Sequence, residues 1–421
     1  MSRTTGVLSA VRGPLEAALV RALGGSPRLE VTRRCADLAE LLAAAAAGLG
    51  RMAVISAGLP GLDRAAVEHL RVSGVLVLGL EDIDWPPERV LALGVDGVAR
   101  PDEVDLIVDM AHGMLDGRTW DVPARLPDEG SRPVVPGPTS SPVGEGAGRV
   151  VAVWGPTGAP GRTTVALTLA TELCDLARRA GGSVLLVDAD TYGGSIAQLL
   201  GMLDEAPGIA AAARAAATGR LDAAGLAALT PALDSGLRVL TGISRAARWP
   251  ELPAAHLALV WAAARELAAW TVVDCGFCIE QDEALSYDTR APQRNAATLS
   301  ALAEADLVVV VGRGDPIGLQ RLVRGLGDLD DLGIPETRRR VVVNRVRASA
   351  SGSRPRQAIR DALRRYAGVD AHLVPEDLAG CDGAVLAART LTEHAPASPA
   401  RRAVVELAAE LLSLDVPAGA H

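Results

Sequence analysis

GRVVAVWGPTGAPGRTTVALTLATELCDLARRAGG, residues 148–182, is the stretch that decides the fold. VVAVW (150–154) is an unbroken apolar run of strand length, and TTVALTLATELCDLARRA (163–180) has the spacing of an amphipathic helix. PTGAPGRT lies between them. A strand, a Gly-rich turn and a helix N-terminus together make an anion cradle, because free backbone N–H groups and the positive end of the helix dipole converge there. The phosphate-loop pattern G-x-x-x-x-G-K-[ST] places Pro156 at its first Gly, Gly161 at its last, Arg162 at the Lys and Thr163 at the metal-binding hydroxyl. Only Gly161 and Thr163 match, so the loop alone decides little.

Outward from the loop, further apolar strands end in polar groups. SVLLVDAD (183–190) ends in paired acids two apart, and WTVVDCG (270–276) carries one acid at its end. DLVVVVGRGDP (306–316), RRVVVNRV (339–346) and DAHLVPED (370–377) each follow a helical stretch. The order is a run of βα units, and polar strand ends are where open α/β sheets bind ligands.

Before the loop, TGVLSAV, RLEVTR, RMAVIS, VLVLGL and DGVAR read as strands. Helical stretches lie between and after them, including CADLAELLAAAAAG and those around Ala65–Leu70, Pro87–Ala92 and Glu103–Met114. Five βα repeats predict a second parallel sheet. Residues 121–148, DVPARLPDEGSRPVVPGPTSSPVGEGAG, separate the two parts with six prolines and many Gly and Ser. A flexible chain of that length spans roughly 25–30 Å. The expected organisation is a domain over 1–120, a linker over 121–148, a second domain over 149–415 and a tail over 416–421.

Composition narrows the function. The chain has 421 residues, 49% hydrophobic and 22% charged, a balance that supports real cores. All 42 basic residues are Arg, and the sequence contains no lysine. Any mechanism that needs a lysine, in cis or from a second copy, is thereby excluded. Aromatic residues are 2%, too few for a stacking platform on single-stranded nucleic acid. The net charge of −9 argues against global attraction to DNA, though not against a local basic patch. No apolar run is long enough to span a membrane and no secretory signal is evident, so a cytoplasmic protein is expected, with its five cysteines as free thiols.

The first part resembles the receiver domain of response regulators in element order and at SAGLPGLD (56–63) and Arg100-Pro101. Ser56 stands where that family has its phosphate-accepting aspartate, Arg100 replaces the lysine, and Ser9-Ala10-Val11 replaces the acidic pair. The resemblance therefore implies a pseudo-receiver that docks or dimerises without accepting phosphate. An unrelated flavodoxin-like domain is the plainer alternative.

The segment from about 149 to 412 resembles the ParA/MinD superfamily of positioning ATPases, and the fusion looks like its CpaE/TadZ branch with septum-site-determining relatives. That resemblance implies ATP and Mg²⁺ as ligands. It places Gly158, Ala159, Pro160, Gly161, Arg162, Thr163 and Thr164 on the phosphates, and Thr163, Asp188 and Asp274 near the metal. Asp190 and Arg162 would serve catalysis, with Asn344, Arg345, Pro375 and Asp377 around the base. The family's signature lysine, which reaches across a dimer, is Thr157 here, and its second lysine is Arg162. A positioned cation is worth about 10³-fold or more in such reactions, so ATP binding is expected to exceed hydrolysis, which would be weak or absent.

The implied role is spatial positioning of a pilus or secretion apparatus, or of the division septum, with proteins of those machineries as partners. The chain would act from the cytoplasm, recruited to a pole, the septum or the inner face of the membrane, and as a possible homodimer. A catalytically inactive protein-binding scaffold is the alternative from another class, and a DNA-partitioning ATPase is a third.

Other signals are weaker. Cys275-Gly-Phe-Cys278 has zinc or redox spacing but no second ligand pair, so a reduced pair is expected. Arg338 to Arg365 holds ten arginines against one acid, Asp361, and reads either as a solvated face or as a contact to DNA or anionic membrane. The last helix, RRAVVELAAELLSL, spaces Val404, Leu407, Ala408 and Leu411 for packing against the domain rather than for anchoring.

Overall fold

The computed structural model describes residues 4–11, 16–82, 85–117, 148–178, 182–202, 208–281 and 293–413. All but the last residue of the expected linker, and the whole 416–421 tail, lie outside the described residues. The chain separates into two compact units, one around a five-stranded sheet and the other around a seven-stranded sheet.

In the first unit the strands are β1 (Thr5–Ala10), β2 (Leu29–Arg34), β3 (Met52–Ser56), β4 (Leu76–Leu80) and β5 (Gly97–Ala99). They lie in the order β2-β1-β3-β4-β5, and every pairing is parallel. This is the flavodoxin-like doubly wound order. Helices Leu38–Ala46 and Arg64–Val72 each begin at an aspartate, Asp37 and Asp63, whose side chain accepts a backbone N–H of the first turn. Ser56 is the last residue of β3, and Arg100 follows β5, where it pairs with Asp102 at 3.0 Å.

The second unit contains β6 (Arg149–Trp154), β7 (Val184–Ala189), β8 (Arg238–Leu240), β9 (Trp270–Cys275), β10 (Leu307–Arg313), β11 (Arg339–Val346) and β12 (Ala371–Pro375). Their order is β12-β11-β10-β6-β9-β7-β8, again parallel throughout. Valine-rich runs with no polar interruption fit such a sheet because both faces are covered. Along β6, Val150, Ala152 and Trp154 join one core, and Val151 and Val153 the other, as the two-residue period requires.

The second of these cores is closed by helix Arg162–Arg178 and helix Pro399–Ser413. The expected packing of the last helix is observed: Val404, Leu407, Ala408 and Leu411 are buried. Arg401 fastens it to helix Arg162–Arg178 by a 2.6 Å pair with the buried Glu172, which also accepts from the Thr392 hydroxyl at 2.6 Å. A buried carboxylate needs partners of this kind. No helix among the described residues is long and apolar enough to cross a membrane.

Candidate nucleotide site

Strand β6 is central, with β10 on one side and β9 on the other, so the turn that follows it opens at the carboxyl end of the sheet. Crevices at such positions are the usual ligand sites of open parallel sheets. The turn needs two left-handed residues, and Gly158 (φ 72°) and Gly161 (φ 88°) supply them. Gly161 then begins the helix, its carbonyl accepting from the Val165 N–H at 2.9 Å. Helix Arg162–Arg178 thus directs its free N–H groups back at the turn, and the first side chains off it are Arg162, Thr163 and Thr164.

Three acids surround this corner. Asp188 is near the end of β7, Asp190 follows that strand, and Asp274 is near the end of β9. All three are buried. Asp188 accepts the backbone N–H groups of Asp190 (3.2 Å) and Ile196 (3.1 Å). Burial nevertheless pushes its carboxyl up to about 7. Asp190 accepts from the N–H groups of Tyr192 (2.8 Å) and Gly193 (3.2 Å), which shapes the loop after β7.

Asp274 is different. Neither of its carboxyl oxygens has a hydrogen-bond partner, and burial together with the Asp188 charge holds its pKa well above the usual carboxylate range. The Thr163 hydroxyl and the Arg162 guanidinium stand near enough to pull in the opposite direction. A buried, unpartnered carboxylate is costly unless something cationic or hydrogen-bonding completes it.

Arg162 spans the mouth of the corner. Its Nη1 donates to the Ala159 carbonyl at 3.2 Å, and its Nη2 lies 3.9 Å from Asp190. The other predicted group gathers beside the loop in a cavity of about 70 Å³ lined by Gly161, Thr164, Asn344, Arg345, Pro375 and Asp377. Asn344 donates to the Pro160 carbonyl at 3.1 Å and accepts the Arg345 N–H at 2.8 Å. Arg345 has φ 54°, a left-handed conformation that a non-glycine residue adopts only under local constraint. Asp377 caps helix Leu378–Leu386 through the Gly380 N–H (3.0 Å) and accepts from the Ser398 hydroxyl (2.5 Å).

Every residue expected at the site from the sequence therefore lies in one of two adjoining places, the loop-and-acid corner or the cavity beside it. Neither a protein-family model nor a curated protein matches the sequence. Solved structures do. A ParA family ATPase from Chlorobium tepidum TLS superposes with a TM-score of 0.52 at 18% identity, covering 62% of this chain and 99% of that one. The chain carries the fold of a ParA family ATPase. Further structural neighbours are the cell division ATPase MinD of Pyrococcus furiosus and the septum site-determining protein MinD, complexed with Mg-ADP, of Pyrococcus horikoshii OT3. The first has a TM-score of 0.49 and 20% identity over 63% of this chain and 99% of that one. The second has 0.48 and 18% over 64% and 99%. The likeness is one of fold.

Within that fold, several contacts at the site had no sequence signal. Arg294 donates to the Thr191 hydroxyl (2.7 Å) and carbonyl (3.0 Å) and stacks 3.8 Å over the Tyr192 ring. Asn295 accepts from the Tyr192 hydroxyl at 2.8 Å and donates to the Glu280 carbonyl at 2.7 Å. These contacts join the loop after β7 to the segment after β9. Cys275 and Cys278 are free thiols, and Cys278 receives the Asn295 amide at 3.2 Å. Among the described residues no three His, Cys, Asp or Glu side chains form a protein-only metal cage.

Proposed function

We propose that the second unit binds ATP with Mg²⁺ at the β6 turn and that the chain works as a nucleotide-dependent positioning protein. The observation that carries this reading is Asp274, a buried carboxylate with both oxygens unpartnered, facing Thr163 on the first turn of the helix after a glycine loop. Mg²⁺ fits that set: it takes hard oxygen ligands, keeps waters and shares phosphate oxygens rather than needing a protein-only cage. Thr163 and Asp274 would hold it, with Asp188 behind them. Bound there, the ion neutralises phosphate charge and completes the buried carboxylate. Gly158 and Gly161 with the helix N-terminus receive the phosphates, and Asn344, Arg345, Pro375 and Asp377 border the base.

Arg162 keeps a positive charge at the loop but presents a planar fork in place of a compact ammonium, and residue 157 offers no charge at all. Binding therefore exceeds hydrolysis, which is slow or absent. The domains on this reading are 1–120 and 149–415, joined by 121–148, and the first unit acts as a pseudo-receiver for docking or self-association. The machinery served is a pilus or secretion apparatus, or the division septum. The test is thermal unfolding of the full chain: millimolar Mg-ATP should raise the melting temperature through linkage to the native state, and Thr163→Ala should reduce the rise. No rise in the wild type would leave a protein-binding scaffold as the better reading.

A further inference from the structure

The phosphate loop is also gripped by a residue of a neighbouring helix. Helix Pro316–Asp331 follows β10, and its exposed Arg321 lays a guanidinium on the loop, Nη1 donating to the Thr157 carbonyl at 3.4 Å. A Cβ built on Gly158 would fall 1.9 Å from that same nitrogen. A side chain at residue 158 would displace the guanidinium from this position.

Peptide geometry gives the contact a consequence. In a planar trans peptide the N–H points opposite to the preceding C=O. With the Thr157 carbonyl turned toward Arg321, the Gly158 N–H is turned away from it. A guanidinium on the carbonyl also polarises the peptide, which makes that N–H a stronger donor. Asn344 holds the Pro160 carbonyl in the same manner, so the Gly161 N–H is oriented likewise.

Charge adds a second argument. Residue 157 is a threonine, and the chain contains no lysine to supply a cation there. Three other arginines of this unit are engaged, Arg294 with Thr191, Arg248 with Glu251 at 2.6 Å and Arg313 with Asp315 at 2.5 Å. Arg321 has no carboxylate partner among the described residues.

We infer that Arg321 is the positioning residue of the phosphate loop, fixing the Thr157–Gly158 peptide and supplying from a neighbouring helix the charge that residue 157 lacks. The inference rests on the nucleotide reading of this site and deepens it. The preference for a triphosphate over a diphosphate then depends on Arg321, because the added phosphate brings added negative charge.

The test is calorimetric titration of the full chain with Mg-ATP and with Mg-ADP, in the wild type, Arg321→Met, Arg321→Lys and the double variant Arg321→Met/Thr157→Lys. Arg321→Met should weaken ATP about tenfold and ADP by less than about threefold, with a melting temperature close to the wild type, since the side chain is exposed. Arg321→Lys should keep most of the ATP affinity, and Thr157→Lys should restore it in the Met background. No loss, or equal losses for the two nucleotides, overturns the inference and assigns Arg321 a structural role at most. A wild type that binds neither nucleotide overturns the nucleotide reading itself, which is a distinguishable result.

Discussion

Asp188 and Asp274 are register partners on the adjacent parallel strands β7 and β9, so their carboxyl groups enter one buried pocket from the same side of the sheet. Both are pushed up by burial first; the Asp188 charge raises Asp274 further, and the Asp190 charge raises both. The ligand-free protein relieves that cost by holding protons, whereas a bound cation relieves it by charge.

The first consequence is a pH dependence of stability. Asp188 is raised to about 7 from an ordinary 3.8, so the folded chain binds more protons than the unfolded chain between those values. Stability of the ligand-free protein therefore falls as pH rises from about 4 to about 7. Asp188→Asn should flatten that fall in urea titrations run across the range. An unchanged slope in the variant would count against the assignment.

Asp274→Asn replaces a buried carboxyl that must otherwise hold a proton or meet a cation. The ligand-free variant should be more stable than the wild type near neutral pH by about 1 kcal/mol, because the wild type must keep protonated a carboxyl that ionises freely in the unfolded chain. The same change should abolish the Mg²⁺ dependence of nucleotide binding. A variant that is less stable yet still responds to Mg²⁺ would contradict the placement of the ion.

Dimerisation, where it occurs, should be nearly independent of nucleotide. Thr157 offers no cation to a partner's phosphates, so ATP should change the association constant of the full chain by less than about tenfold, or about 1.4 kcal/mol. Sedimentation with and without ATP measures this directly. Thr157→Lys should introduce the dependence and raise hydrolysis. A wild-type monomer that becomes a tight dimer on adding ATP would sink the argument.

The first unit should ignore phosphoryl donors. Ser56 ends β3 without a carboxylate, and the end of β1 carries Ser9 and Ala10 where acids would hold a metal. Acetyl phosphate should leave the mass of the full chain unchanged. Phosphate found on Asp63 or Asp82 would reverse this.

Much of this arrangement was legible in the sequence for identifiable reasons. Of the twelve strands among the described residues, most are apolar or valine-rich runs closed by polar or glycine residues, the trace that buried parallel strands leave. β2 (LEVTRR) alternates apolar and polar residues before two exposed arginines. β8, Arg238–Leu240, left no trace, because its three residues at the sheet edge are too few to show a period. The site acids were visible because each sits at a strand end. That Asp274 lacks partners while Asp188 has two was not, since it depends on which backbone groups the next loop turns toward them. Arg321 left no signal either: it is one of several arginines on an amphipathic helix, and only the path of β10 brings it over residue 157.

On the reading proposed above, ATP occupies the β6 turn with its base against the cavity lined by Asn344 and Pro375. Photolabelling of the full chain with 8-azido-ATP and Mg²⁺, followed by peptide mass mapping, tests it most directly. A single label is expected within or beside residues 344–345 or 375–377, displaced by unlabelled ATP and lost in Thr163→Ala. No displaceable label, or a label confined to the first unit, would contradict it.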